Sequence, residues 1–178
     1  MAKANPSQLA ELLRLRDDVI HIMKDMSEWQ EYDVDRLSLI PLGVLRKNST
    51  QRHGVTRWQL GANPDELDIM DVEVIDLHPR LLEERWKPYA AFVLHHEYIH
   101  ALGFRSHNKI FRYLEAAWPG SSAAKHGPEF TELLRFQNAT WIWSCKSCGK
   151  GYPRKRQGRG RYKCRACNVV LKDVKVSQ

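Results

Sequence analysis

The chain has 178 residues, of which 43% are hydrophobic, and a formal net charge of +7. This length suits one compact domain, or one domain with a small appendage, with enough apolar residues for a core. The sequence contains no apolar run close to the roughly 18–20 residues that span a bilayer, and its first residues lack the apolar stretch of a secretory signal. We therefore expect a soluble intracellular protein, in the cytoplasm, nucleoid or nucleus, that is not secreted and has no membrane partner.

The positive charge is concentrated at the C-terminal end of the sequence. Residues 145–178 hold 11 Lys and Arg against one acidic residue, Asp173, so their net charge is +10. The first 144 residues hold 17 basic and 20 acidic side chains, a net charge of −3. All four cysteines also lie in the C-terminal stretch. The sequence therefore predicts a weakly acidic domain over residues 1–140 and a small basic domain over residues 141–178.

The hydrophobic pattern predicts helices and strands in a definite order. Asn5 and Pro6 are typical of a helix start, and apolar residues then recur at helical spacing as far as Met26. Alternating apolar residues predict strands at 37–40, 44–46, 55–60 and 71–77. Helical patterns follow at residues 86–102, 108–118 and 128–138. Strands followed by helices indicate an α+β fold.

The second of the predicted helices contains the sequence His96-Glu97-Tyr98-Ile99-His100, a His-Glu-x-x-His motif. Residues four apart share one face of a helix, so both imidazoles can reach the same metal ion. Glu97 is offset by about 100° around the helix, which places it beside the ion as a base rather than as a ligand. A zinc ion with such ligands activates a water, and a carboxylate takes its proton.

A third protein ligand is needed to complete such a site, and spacing alone leaves three candidates. His107 lies seven residues after His100, His126 follows a Ser/Ala/Gly-containing loop, and Glu115 could supply a carboxylate from a following helix. The group that would stabilise a developing oxyanion is also open, with Tyr98, Arg105 and Tyr113 as candidates.

The four cysteines form two Cys-x-x-Cys pairs separated by fifteen residues, namely Cys145, Cys148, Cys164 and Cys167. This spacing is typical of a tetrahedral Cys₄ zinc site. Four protein ligands leave no position for a substrate, so the role of this second zinc is structural. The zinc would hold together about 34 residues that have too little core to fold alone.

A dense run of basic residues lies between and beside the two cysteine pairs. It comprises Arg154, Lys155, Arg156, Arg159, Arg161, Lys163 and Arg165. Such charge releases counterions from phosphates, and the nearby Tyr152 and Tyr162 could stack on bases. We expect the segment to contact nucleic acid, with an acidic protein or plain solvation as the alternative. Trp141 and Trp143 are expected to join this domain to the first.

Together these motifs resemble the SprT-like metalloproteases, relatives of Spartan. The resemblance rests on His96-Glu97-x-x-His100-Ala101, on His126-Gly127-Pro128-Glu129-Phe130, and on the four-cysteine ribbon. Residues 74–77 with Leu81 and Leu82 resemble the strand and turn before the catalytic helix, and the whole likeness covers about residues 10–170. It implies a minimal zincin-type domain followed by a β-rich zinc ribbon, with His126 as the third zinc ligand and His107 as the alternative.

The resemblance also implies a function. It predicts a zinc endopeptidase with Glu97 as its base, two zinc ions, DNA as a partner, and DNA-bound or DNA-crosslinked proteins as substrates. The segment between His100 and His126 is longer than in that family, which is expected to displace His126 or to cover the cleft. The alternative function is a non-catalytic, zinc-binding adaptor associated with nucleic acid in chromatin or transcription.

Overall fold

A computed structural model of the chain describes residues 3–63 and 66–176. Its first element is helix α1, Pro6–Asp25. The Asn5 side chain accepts a hydrogen bond from the Gln8 backbone N–H at 2.8 Å, and the Gln8 side chain accepts one from the Asn5 N–H at 3.0 Å. This reciprocal cap satisfies backbone donors that a helix start otherwise leaves unpaired. The cap fixes the predicted start of α1, which buries Leu12, Val19, Ile20 and Met23.

The segment that follows α1 differs from its prediction. Residues 37–40 do not form a strand, because they lie in and just after a 3₁₀ helix, Val34–Leu39. Val34, Leu37 and Ile40 are buried, whereas Leu39 is exposed. A spacing of three matches the three residues per turn of a 3₁₀ helix. The strand prediction for residues 37–40 is therefore wrong, because the buried residues recur every three positions and not every two.

Three strands form a mixed sheet in the order β1-β3-β2, with β1 Leu42–Val44, β2 Gly54–Trp58 and β3 Val72–Leu77. β1 runs parallel to β3, and β2 runs antiparallel to it. The central strand β3 carries the most buried residues of the three, since Ile75 and Leu77 are fully covered. In this strand order β2 is an edge strand, so one of its sides is free of strand pairing.

Helix α2, Lys87–Ala101, packs against β2, β3 and α1. Most of its side chains are buried, which agrees with its nearly continuous apolar sequence. Gly103 ends the helix with φ of +98°, a left-handed conformation that glycine adopts without steric cost. The chain reverses there and enters α3, Lys109–Ala116, which is capped by the Asn108 side chain. Helix α4, His126–Gln137, follows.

The chain divides into two compact units, Met1–Gly127 and Pro128–Gln178. This division lies before the boundary at residue 140 that the charge distribution predicts. The second unit contains a three-stranded antiparallel sheet in the order β5-β4-β6, with β4 Trp141–Ser144, β5 Gly151–Arg154 and β6 Lys172–Lys175. The buried cluster beside this sheet consists of Trp143, Cys145, Cys164 and Leu171, and α4 buries Phe130 and Leu134 in the same unit. The overall architecture is a mixed α and β structure with small sheets.

Candidate metal centre

Three histidines meet at the C-terminal end of α2. His96 and His100 lie one helical turn apart with ring centroids separated by 5.0 Å. His107, on the loop that follows Gly103, lies 5.0 Å from His96 and 4.9 Å from His100 by the same measure. One ring nitrogen from each of the three lies within 4.8 Å of the others. This group could therefore hold a single metal ion.

The hydrogen bonds of two of these rings fix which nitrogen faces the ion site. His100 Nδ1 donates to the Phe104 carbonyl oxygen at 2.8 Å, because a carbonyl can only accept. His96 Nδ1 lies 2.6 Å from Glu115 Oε1, and the hydrogen bond from His96 lowers the pKa of the Glu115 carboxyl to about 2. That carboxylate is ionised at neutral pH and must accept. Both rings therefore turn Nε2 towards the ion site, and in the neutral ring this nitrogen carries the lone pair.

The inward-facing nitrogens have the spacing that a metal requires. His107 Nε2 lies 3.2 Å from His96 Nε2. Two nitrogens of a tetrahedral zinc site, each about 2.0–2.1 Å from the ion, are about 3.4 Å apart. Burial lowers the pKa of the His100 imidazole to about 4, so this ring is neutral and can act as a ligand at physiological pH. The donor set therefore fits zinc.

Phe111 forms the apolar floor of the histidine cluster. Its ring centroid lies 4.9 Å from His96, 4.7 Å from His100 and 4.6 Å from His107. Phe111 itself is fully buried in α3. A rigid apolar side chain in contact with all three imidazoles restricts their rotation and excludes water from one side of the site. Sequence spacing does not indicate this role for Phe111, because the role depends on how α3 folds back onto α2.

Glu97 is nearly buried and is held by the strand beside it. The Thr56 hydroxyl of β2 lies 2.8 Å from Glu97 Oε2 and 3.1 Å from the Glu97 carbonyl oxygen. Gly54 permits this close approach, since a Cβ there would lie 2.6 Å from Glu97 Oε1 and 2.8 Å from Val93 Cγ1. Burial raises the pKa of the Glu97 carboxyl above its ordinary value. Glu97 is therefore a fixed carboxylate with raised basicity beside the histidines.

A cleft of about 380 Å³ opens over these groups, between β2 and the loop after α2. The residues that line it are Gly54, Val55, Thr56, Trp58, His96, Glu97, His100, Arg105 and His107. Of the three candidates for an oxyanion-stabilising group, Arg105 is the one that lines this cleft. Tyr98 is fully buried, and the Tyr113 hydroxyl is hydrogen-bonded to Glu28 at 3.2 Å.

His126 occupies a different place from the one that the resemblance implies. It begins α4 and lies against Trp86 and Tyr89, with ring centroids 6.1 Å and 6.4 Å away. Along the axis of α2, Tyr89 lies about 10 Å from His96 and about 16 Å from His100. His126 is not among the residues whose ligand atoms converge with that pair. The structure therefore does not bring His126 to the His96–His100 pair. It brings the alternative, His107, because the turn at Gly103 returns the chain to the helix end.

The four cysteines of the second unit also converge. Cys145, Cys148, Cys164 and Cys167 place their sulfur atoms within 4.8 Å of one another. The sulfurs of Cys148 and Cys164 are 3.7 Å apart, close to the roughly 3.8 Å expected between two ligands of a tetrahedral site with 2.3 Å zinc–sulfur bonds. A hydrogen bond from Tyr152, joined by the backbone N–H of Cys167, lowers the pKa of the Cys164 thiol to about 6. This favours the thiolate form that binds metal.

A basic groove of about 660 Å³ lies in the second unit. Its lining residues are Trp141, Trp143, Arg154, Lys155, Arg156, Gln157, Gly158, Arg159, Arg161 and Tyr162. Five of the seven predicted basic residues line it; Lys163 and Arg165 do not. Trp143 stacks on Tyr162 with centroids 4.2 Å apart, and the Arg154 guanidinium lies 4.9 Å from the Trp143 ring. Both tryptophans thus line the groove.

The loop that forms this groove is held by three hydrogen bonds. Asp173 accepts from the backbone N–H groups of Gly158 and Arg159, each at 2.8 Å. The Trp143 indole N–H donates to the Arg156 carbonyl at 2.9 Å. The single acidic residue of the basic segment therefore organises the cationic loop, a role that the charge count alone did not predict.

Among residues 3–63 and 66–176, two side-chain groups are suited to metal, one of histidines in the first unit and one of cysteines in the second. Over 88 residues it is 30% identical to "Protein SprT-like" of Streptococcus equi subsp. zooepidemicus (strain H70). The match covers 46% of this chain and 56% of that protein, so the chain spans about half the length of its curated relative. The similarity is distant and points to the SprT-like family.

No protein-family model matches the chain, and no solved structure matches it. Within residues 3–63 and 66–176, no helix is both long enough and apolar enough to cross a membrane.

Proposed function

We propose that the protein is a zinc-dependent endopeptidase of the SprT-like type, built on a minimal zincin-type domain. The observation that carries this proposal is the position of Glu97, whose buried carboxylate lies in one cleft with His96, His100 and His107. The first three of these residues form the His-Glu-x-x-His motif, and the distant similarity to a protein named SprT-like agrees with it. We assign His107 as the third ligand in place of His126.

Each residue of the cleft has a separate role in the proposed hydrolysis of a peptide bond. A zinc ion bound by the three histidines would lower the pKa of a water towards 7 and polarise the carbonyl of the substrate. Glu97 accepts the proton of the attacking water and delivers it to the leaving amine. Thr56 holds the Glu97 carboxylate in position through its 2.8 Å hydrogen bond. Arg105, on the cleft wall, supplies positive charge for the developing oxyanion.

The second unit supports DNA as the partner that brings substrates to the cleft. Its groove combines five cationic side chains with the stacked pair Trp143 and Tyr162. Cationic side chains neutralise phosphates, and the half-exposed ring of Tyr162, backed by the buried Trp143, can stack on a base. We therefore propose that the substrates are proteins bound or crosslinked to DNA. The cysteine group holds a second, structural zinc that stabilises this groove.

A cleavage assay on a DNA-binding protein, with and without DNA, tests the proposal. We expect cleavage by the wild type and a fall of about 10²–10⁴-fold in the Glu97→Gln variant, because the proton acceptor is lost. The variant should keep two zinc ions per chain, measured by elemental analysis. Full cleavage by Glu97→Gln would refute the assigned mechanism. A single zinc bound by the cysteines, together with no cleavage, would favour the non-catalytic adaptor.

A further inference from the structure

Glu115 connects the metal centre to α3. Its Oε1 lies 2.6 Å from His96 Nδ1, and its Oε2 lies 2.7 Å from an Arg112 guanidinium nitrogen. The Glu115 side chain is 15% exposed, whereas that of Arg112 is 56% exposed. The contacts form a chain that runs from the surface, through a nearly buried carboxylate, to a candidate ligand. Spacing alone had left Glu115 open as a metal ligand, but each of its oxygens already has a partner.

We propose that Glu115 is a positioning residue that sets the orientation and the metal affinity of His96. The 2.6 Å contact joins Glu115 Oε1 to Nδ1 of His96, so the carboxylate holds that nitrogen and turns Nε2 towards His107 and the ion site. Its negative charge also makes the imidazole a stronger ligand. This inference rests on the proposed function, since it assigns a role within the same metal site.

The sequence of α3 explains why one short helix can supply this support. Phe111 and Glu115 are four residues apart, so they share a helix face, and Arg112 precedes Glu115 by three. The same face therefore provides the apolar floor under the three imidazoles and the acceptor for one of them. Asn108 fixes the start of the helix by accepting a hydrogen bond from the Phe111 N–H at 3.0 Å. The longer segment between His100 and His126 thus forms a wall of the site.

The test measures the affinity of the histidine site for zinc, by competition with a chelator of known affinity. We expect Glu115→Ala to weaken this zinc by about 10–100-fold. Glu115→Gln should have an intermediate effect, because its amide oxygen still accepts a hydrogen bond without the charge. Glu28→Gln is the matched control, since Glu28 accepts from the α3 residue Tyr113 but does not contact His96. Zinc affinity in this control should stay within twofold of the wild type.

Two further measurements distinguish a positioning role of Glu115 from a general loss of structure. The melting temperature of the metal-free protein should change little in Glu115→Gln, and at saturating zinc kcat should fall more than KM rises. If Glu115→Ala does not fold, Glu115→Gln carries the test. Wild-type zinc affinity in Glu115→Gln, in a protein that binds two zinc ions and cleaves, would overturn this inference alone. Absence of zinc from the wild-type histidine site would instead overturn the proposed function.

Discussion

The histidine group and the cysteine group differ in the number of metal coordination positions that they leave vacant. The histidine group has three nitrogens, and the cleft above it also contains a carboxylate and a guanidinium. The cysteine group has four sulfurs, and its residues Cys145 and Cys164 belong to the small core of the second unit. Three protein ligands leave a coordination position for water or substrate, whereas four thiolates fill a tetrahedral site.

The two groups also differ in the hydrophobic core that surrounds them. Unit 1 has a core of its own, with Leu12, Leu37, Ile75 and Leu94 fully buried, so we expect its fold to persist without a metal at the histidines. In unit 2, the core cluster around the cysteine group has four buried residues, and two of them are cysteines; Phe130 and Leu134 of α4 are buried elsewhere in the unit. Under the proposed function, a metal at the first site would add chemistry to a scaffold that is already folded. A metal at the second site supplies much of the stability itself.

Removing one ligand from each group gives the largest expected effect and tests this difference directly. We expect Cys164→Ser to unfold unit 2, because structural zinc contributes about 10–16 kcal/mol of apparent folding free energy in small zinc domains. His100→Ala should lose its zinc but leave unit 1 folded. Limited proteolysis and elemental analysis measure both outcomes, with one zinc per chain remaining in each variant. A protease-resistant unit 2 in Cys164→Ser would contradict the assignment.

The next effect concerns the close contact between β2 and Glu97. We expect Gly54→Ala to reduce kcat/KM by about 10²-fold, since the added Cβ displaces Glu97 and small misplacements of a catalytic group are costly. Zinc affinity at the histidine site serves as the internal control and should stay within about threefold, because no ligand is touched. Activity within twofold of the wild type would show that Glu97 tolerates a different position.

The local part of the candidate site could be predicted from the sequence. His96, Glu97 and His100 lie on one regular helix, so helical geometry alone places them together. The four cysteines follow from spacing for a similar reason, because each pair lies in one tight turn. The choice between His107 and His126 depends on the path of the chain after Gly103, and spacing carries no information on that path. Thr56 and Gly54 were not foreseen, because only tertiary packing of β2 on α2 brings them to Glu97.

A smaller effect is expected in the basic groove, and its sign is informative. By charge alone, Asp173→Asn should strengthen DNA binding, because it removes the acid from a cationic segment. We expect it instead to weaken binding by about tenfold, equivalent to about 1.4 kcal/mol, because the loop loses its anchor at Gly158 and Arg159. Binding is measured by fluorescence anisotropy at constant salt.

The control for this prediction is Glu132→Gln, which makes the same change of charge on an exposed part of α4. It should leave DNA affinity equal or slightly higher. If Asp173→Asn behaves like this control, the groove acts through its net charge and the order of its loop is not needed. A loss confined to Asp173→Asn supports recognition by an organised surface.

The smallest effect is expected at Thr56, which contacts the base rather than the ion. Thr56→Val keeps the side-chain shape but removes the hydroxyl that hydrogen-bonds to Glu97 Oε2. A single hydrogen bond contributes about 0.5–1.5 kcal/mol, so we expect kcat at saturating zinc to fall by about 2–10-fold. Thr56→Ser should restore most of the rate, because it returns the donor without the methyl group. An equal loss in both variants would mean that β2 supports Glu97 by packing and not by this hydrogen bond.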